Sequence, residues 1–188
     1  MKKVAAGVVV AAAVMALGAA PARAEIVSVY LGGYGGLTSH PSGDPNAGAN
    51  ALTPGLGFEL GARLLIFDAY VDRSAFLEGR GVTRLIAGLH AGFGVAGLRF
   101  RLRAGVGPVF EQGGALAGTV ADTRDRHGLV ARAGVAVEKR LSPKVLAIGL
   151  GVDGEYFTLD AASGELSTMR SQGSDVLASL RVRFELGI

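Results

Sequence analysis

The chain has 188 residues, with 19 Lys and Arg against 16 Asp and Glu, 30 Gly, and neither Cys nor Trp. Without Cys there is no disulfide framework, no thiolate metal centre and no lipid-modified N-terminal cysteine, so stability must come from backbone pairing and packing. The high Gly share argues against a mostly helical domain, because each Gly inside a helix costs about 1 kcal/mol relative to Ala.

At the N-terminus, Lys2 and Lys3 precede an Ala/Val-rich apolar stretch from Val4 to Ala20, followed by Ala22-Arg23-Ala24. A charged start, a short apolar run and a small-x-small tripeptide form the three-part layout of a secretory signal peptide, expected to be removed after Ala24. Residues 25–188 would then form one domain. Removal takes away Lys2, Lys3 and Arg23 and no acid, which leaves 16 basic and 16 acidic residues. The pI of about 9.5 therefore belongs largely to the leader, and it argues for no nucleic-acid partner. Beyond residue 24 no apolar run approaches the ~18 residues that a membrane helix needs, so a membrane would have to be crossed with strands.

Period-two alternation then recurs along the chain, with candidate strands near 25–34, 54–63, 65–74, 82–94, 97–111, 128–141, 144–158 and 174–188. In the fifth, Leu98, Phe100, Leu102, Ala104, Val106, Pro108 and Phe110 alternate with Arg99, Arg101, Arg103, Gly105, Gly107 and Glu111. In the last, Val176, Ala178, Leu180, Val182, Phe184, Leu186 and Ile188 alternate with Ser179, Arg181, Arg183, Glu185 and Gly187. The other strands also gather their ionic residues on one face: Glu59 with Arg63, Asp68 with Asp72, Arg84 with His90, Arg132 with Glu138 and Arg140, and Asp153 with Glu155.

Connections alternate long and short. The long ones fall near 35–53, 74–81, 112–127 and 159–173; the short ones lie at Arg63-Leu64, Val95-Ala96-Gly97 and Ser142-Pro143-Lys144. An antiparallel up-and-down meander produces this order, and outer-membrane barrels put the short turns in the periplasm and the long loops outside.

Alternation alone fits either a soluble barrel with an apolar lumen or a membrane barrel with the reverse. The ionic face carries many glycines, among them Gly55, Gly57, Gly61, Gly105, Gly134 and Gly151, as a crowded interior would require. It also nearly balances its charges. The expected lumen network comprises Arg63, Arg84, Arg99, Arg101, Arg103, Arg132, Arg140, Arg181 and Arg183 against Glu59, Asp68, Asp72, Glu111, Glu138, Asp153, Glu155 and Glu185. Buried charges persist only when paired, and Arg rather than Lys suits a site where one fork must bridge several carboxylates. An apolar face of that extent is far larger than a water-soluble monomer leaves exposed.

On these residues the domain resembles the small eight-stranded outer-membrane barrels of the OmpA and OmpX type, from Glu25 to Ile188. The likeness is one of architecture. Such barrels carry aromatic girdles and end on an aromatic residue, whereas here aromatics make up 6% and the chain ends Phe184-Glu185-Leu186-Gly187-Ile188. The resemblance implies an eight-stranded transmembrane β-barrel in the outer membrane of a Gram-negative cell, in contact with outer-membrane lipid.

Other constellations are weaker. Gly92-Phe93-Gly94-Val95-Ala96-Gly97 has dinucleotide-fingerprint spacing, but a basic strand follows at once instead of a helix, so a tight hairpin is expected. His40, His90 and His127 show no metal-ligand spacing, and neither a metal nor another cofactor is expected. Asp44 and Asn46 lack the twelve-residue calcium pattern. The expected function is a non-enzymatic barrel with a plugged lumen, acting through surface ligands of loops 35–53, 112–127 and 159–173. Two alternatives stand beside it: a lipid- or lipopolysaccharide-modifying barrel enzyme using His40 or His127, and a soluble periplasmic barrel for small apolar ligands.

Overall fold

The computed structural model describes residues 26–39, 52–77, 81–112, 126–141, 145–159 and 171–187. The expected signal peptide, the turn Ser142-Pro143-Lys144 and the middle of each long connection, including His40, Asp44 and Asn46, lie outside these residues.

Eight strands follow one another: β1 (Val27–Ser39), β2 (Leu52–Leu64), β3 (Phe67–Phe76), β4 (Gly81–Val95), β5 (Leu98–Gln112), β6 (Arg126–Arg140), β7 (Leu146–Leu159) and β8 (Ser171–Gly187). Each pairs antiparallel with its sequence neighbours, and β8 pairs with β1 to close the barrel. Closure removes the unpaired edges that an open sheet would expose. Following cross-strand partners from Val27 through Leu64, Phe67, Leu89, Ala104, Ala133, Gly154 and Val176 returns to β1 at Ser39, twelve residues farther along. This stagger tilts the strands against the barrel axis. Because it is even, inward-facing positions of β8 meet inward-facing positions of β1.

The strand count, order and faces agree with the sequence reading, but the boundaries shift. β1 continues through Gly35 and Gly36, which pair with Leu56 and Gly55 instead of opening a loop. The first short turn is Leu65-Ile66, not Arg63-Leu64: Leu64 still pairs with Phe67, and Leu65 takes a positive φ of 55°. A two-residue hairpin needs that sign to match the twist of its strands, and here a leucine supplies it. At the second, Ala96 and Gly97 both have positive φ, 51° and 80°, between the paired Val95 and Leu98, so the glycine-rich segment is a hairpin. Arg126 and His127, expected in the third long loop, begin β6 opposite Glu111 and Phe110.

The barrel is inverted relative to a water-soluble one. Leu56 is 71% exposed, Leu129 and Leu150 66% each, and Val106 64%, while Arg183 is 1% and Asp72 0% exposed. Phe67, Phe93, Phe100 and Phe184 gather on the outer wall near the end with the two-residue turns, where Phe93 and Phe100 stack at 5.1 Å.

The charged lumen as candidate functional site

Three tyrosines organise the interior. Tyr30 and Tyr34 of β1 stand opposite Gly61 and Gly57 of β2, and Gly61 also faces Tyr70 of β3. A methyl group at Gly61 would lie 2.5 Å from the Tyr30 ring and 2.7 Å from Cβ of Tyr70, and one at Gly57 would lie 2.3 Å from the Tyr34 ring. The glycines thus let aromatic rings lie flat across the inner wall. Gly61→Val should destabilise the barrel by about 1–3 kcal/mol through overpacking. Because the chain lacks Trp, urea unfolding followed by far-ultraviolet circular dichroism would measure it, and an unchanged midpoint would show that the Tyr30 ring has room to move.

Around the tyrosines the ionic groups form two layers. Toward the middle and the loop end, Arg84 Nη1 donates to Asp72 Oδ1 at 2.8 Å and its Nε to Glu155 Oε2 at 2.9 Å. Arg103 Nη1 donates to Glu59 Oε2 at 2.6 Å and its Nη2 to Asp153 Oδ1 at 3.1 Å. Arg181 also pairs with Asp153. Arg132 sits among three carboxylates, its Nη1 3.3 Å from Asp72, Nη2 3.2 Å from Asp153 and Nε 3.3 Å from Glu155. The hydroxyl of Tyr34 donates to Asp72 Oδ2 at 2.8 Å. Glu59 and Asp72 are direct cross-strand neighbours, a repulsive pair that this surrounding set of guanidinium groups offsets.

Nearer the turn end, Arg63 Nη1 and Arg99 Nη1 share Glu185, at 2.7 and 3.2 Å. Arg101 Nη2 donates to Glu138 Oε1 at 2.6 Å. Arg183 pairs with Glu59 and approaches Glu138 to 3.9 Å. The Tyr30 hydroxyl donates to Asp68 Oδ1 at 2.8 Å, and the guanidinium carbons of Arg63 and Arg183 each lie 4.4 Å from the Tyr30 ring centroid. Such contacts let a buried cation sit against the negative face of a ring.

Most of the expected network lies in these two layers. Glu111 and Arg140 share its face but sit at strand ends, Glu111 half-buried and Arg140 exposed. Asp175, which sequence reading left out, is buried beside Glu155 in the β7–β8 ladder. Tyr30, Tyr34 and Tyr70 are buried with it and also lie outside the expected network, although Tyr70 has the parity of Asp68 and Asp72. Also unanticipated is an apolar inner layer at the loop end: Phe76, Val82, Val109, Val130 and Leu159 are buried together, with Phe157 against them. An apolar-ligand barrel would need such side chains through the body of the lumen, where ion pairs stand instead.

Among the described residues, ion pairs and tyrosine rings occupy the inner wall along the middle of the barrel. A void of about 10 Å³ beside His90, Arg101, Arg103 and Arg181 has room for one water-sized occupant, whereas a depression of about 510 Å³ lies over Gly35, Ala178 and Leu150 on the outer wall. His90 faces the lumen from β4, and His127 is exposed on β6, on the face of Leu129. No group of three or more potential metal ligands occurs among the described residues.

No protein family matches the sequence, and no curated protein matches it. The fold has solved counterparts. Neisserial surface protein A shares 12% identity at a TM-score of 0.57, over 84% of this chain and 96% of its own. The N-terminal β-barrel domain of Pseudomonas aeruginosa OprF shares 16% at a TM-score of 0.53, over 85% and 97%. The chain has the fold of small outer-membrane barrels. At these identities the likeness extends to the fold alone.

Proposed function

We infer that this protein is an integral outer-membrane barrel whose lumen is closed by its own ion pairs, and that it acts without catalysis, as a structural or surface-interaction element. The observation that carries the reading is the inversion: leucines and valines cover the outside while arginines and carboxylates fill the inside. Hydrocarbon accepts the first and excludes the second. The phenylalanines near the turn end suit a membrane interface, where aromatic rings are enriched, and stand in for the missing Trp. With the short turns on the periplasmic side, the connections within 35–53, 112–127 and 159–173 reach the cell surface and are the natural place for a ligand.

Open diffusion pores are built from about 16 or more strands, whereas an eight-stranded barrel has an interior only just wide enough for side chains to fill, and here those side chains are paired ions. Reconstituted in planar bilayers, the protein should show no large stable conductance. A steady wide-pore current would overturn the plugged lumen. Cell fractionation should place it in the detergent-extracted outer membrane, with heat-dependent gel mobility; release by osmotic shock alone would end the membrane reading.

A further inference from the structure

Formal charge on the outer wall is sparse and of one sign. Among the described residues no Asp or Glu occupies an outward-facing strand position, and the Arg and Lys residues that do are Arg73 of β3, toward the loop end, and Lys139 of β6, beside the turn end. A lipid-facing arginine costs most at the middle of a bilayer and little near its interface, so the direction in which Arg73 extends decides whether it is tolerated. Its Nη1 donates to Thr83 Oγ1 at 3.0 Å and its Nη2 to Gln112 Oε1 at 2.9 Å. Gln112 is the last residue of β5. The side chain therefore leans across β4 toward the loop-end rim and carries its charge away from the leucines below.

Both acceptors are neutral. They fix the planar fork without cancelling its charge, and they set the Thr83 hydroxyl and the Gln112 amide N–H groups beside it as further donors. A fixed guanidinium with neutral donors around it suits a phosphate, whose oxygens it can meet two at a time. Beneath the cluster the same face turns apolar. Thr83 stands opposite Phe110 and Val71 opposite Leu85, and these three, with Val106 farther down β5, are exposed. Donors at the rim over an apolar strip match a molecule with an anionic head and a hydrocarbon tail better than they match a free ion. By sequence the flanking connections 78–80 and 113–125, outside the described residues, hold three acids and two bases, and the experiment below separates their effect from that of a lipid.

We propose that Arg73, Thr83 and Gln112 on the outer wall hold the phosphate of a phosphorylated membrane lipid in the loop-side leaflet, with an acyl chain of that lipid lying against Val71, Leu85 and Val106. The site rests on the membrane reading above and adds to it a headgroup class and the residues that meet it. A terminal phosphate, with several free oxygens and no choline or amine beside it, is favoured over a zwitterionic headgroup, whose own cation competes with Arg73.

Native mass spectrometry of the folded barrel, mixed in detergent with equal amounts of phosphatidic acid and phosphatidylcholine of the same chains, tests this. The expected result is preferential retention of phosphatidic acid. Arg73→Gln should weaken its apparent affinity about tenfold, the loss of one charge-assisted hydrogen bond. Gln112→Glu keeps the arginine but gives its fork an internal carboxylate, and should weaken retention to a similar degree. Lys139→Gln, at the outward cation near the other end, should leave retention unchanged, and inorganic phosphate should not displace the lipid. Unchanged retention in Arg73→Gln would overturn the proposal by showing that the arginine serves an acid of the flanking connections. Equal loss in Lys139→Gln would overturn it by showing a general attraction to any outward cation, and displacement by inorganic phosphate would overturn the commitment to a lipid. Heat-dependent gel mobility after insertion into phosphatidylcholine vesicles checks folding and membrane placement separately, so a barrel that inserts but retains both lipids alike sinks this site and leaves the membrane reading standing.

Discussion

Arg132→Met should lower the unfolding free energy of the barrel by about 3 kcal/mol or more, the range seen when one partner is removed from a buried ionic group. Methionine keeps much of the length and the apolar stem, so the loss is mainly electrostatic. The side chain of Arg132 is 0% exposed, and each of its nitrogens faces a different carboxylate. Asp72 and Glu155 then keep Arg84, and Asp153 keeps Arg103 and Arg181, but the layer carries an uncompensated negative charge away from water. Glu155→Gln in the same background removes that excess. The double variant should therefore be less destabilised than the two single changes added together, by about 1 kcal/mol or more for residues in one network. Urea titrations followed by circular dichroism give all four corners of this cycle, and strict additivity would show that the arginines act as separate pairs.

How far the sequence foretold this arrangement follows from the physics of each feature. Alternation along Leu98–Gln112 and Ser171–Gly187 was legible because a strand has only two faces, and one-faced charge is hard to reconcile with any other element. The turn at Leu65-Ile66 was not, since a leucine with positive φ carries no local mark; the ladder on either side imposes it. The sequence alone ends β1 too early because Gly35 and Gly36 look like a turn, whereas in a closed sheet Leu56 and Gly55 hold them extended. The aromatic layer was missed for a related reason. Tyr30 and Tyr34 become lumen residues only when Gly61 and Gly57 are known to stand opposite, and that register is a tertiary fact. The apolar layer of Phe76, Val82, Val109, Val130 and Leu159 breaks the equation of inside with charged: at the loop end the inner wall changes character while the alternation continues.

The outer wall offers the sharper test of where the molecule resides. Leu150 is 66% exposed, lies well inside β7, and is flanked by Val137 and Leu180 on the neighbouring strands. In a bilayer it contacts hydrocarbon near mid-depth, so Leu150→Arg should cost about 2–4 kcal/mol in lipid vesicles. Ile66 is 57% exposed in the first tight turn, at the level of the interface, where the same change costs only about 0–1 kcal/mol. The two positions differ little in exposure and both are aliphatic; strand propensity, which spans about 1 kcal/mol, acts on Leu150 and not on the turn residue Ile66, so a difference in cost beyond that reads a medium that varies with depth. In water the order would vanish, because an arginine on an exposed apolar wall is then neutral or solubilising at either position. Unfolding the two variants from vesicles and comparing midpoints decides between these media, and equal costs at Leu150 and Ile66 would show that the apolar belt does not face a bilayer.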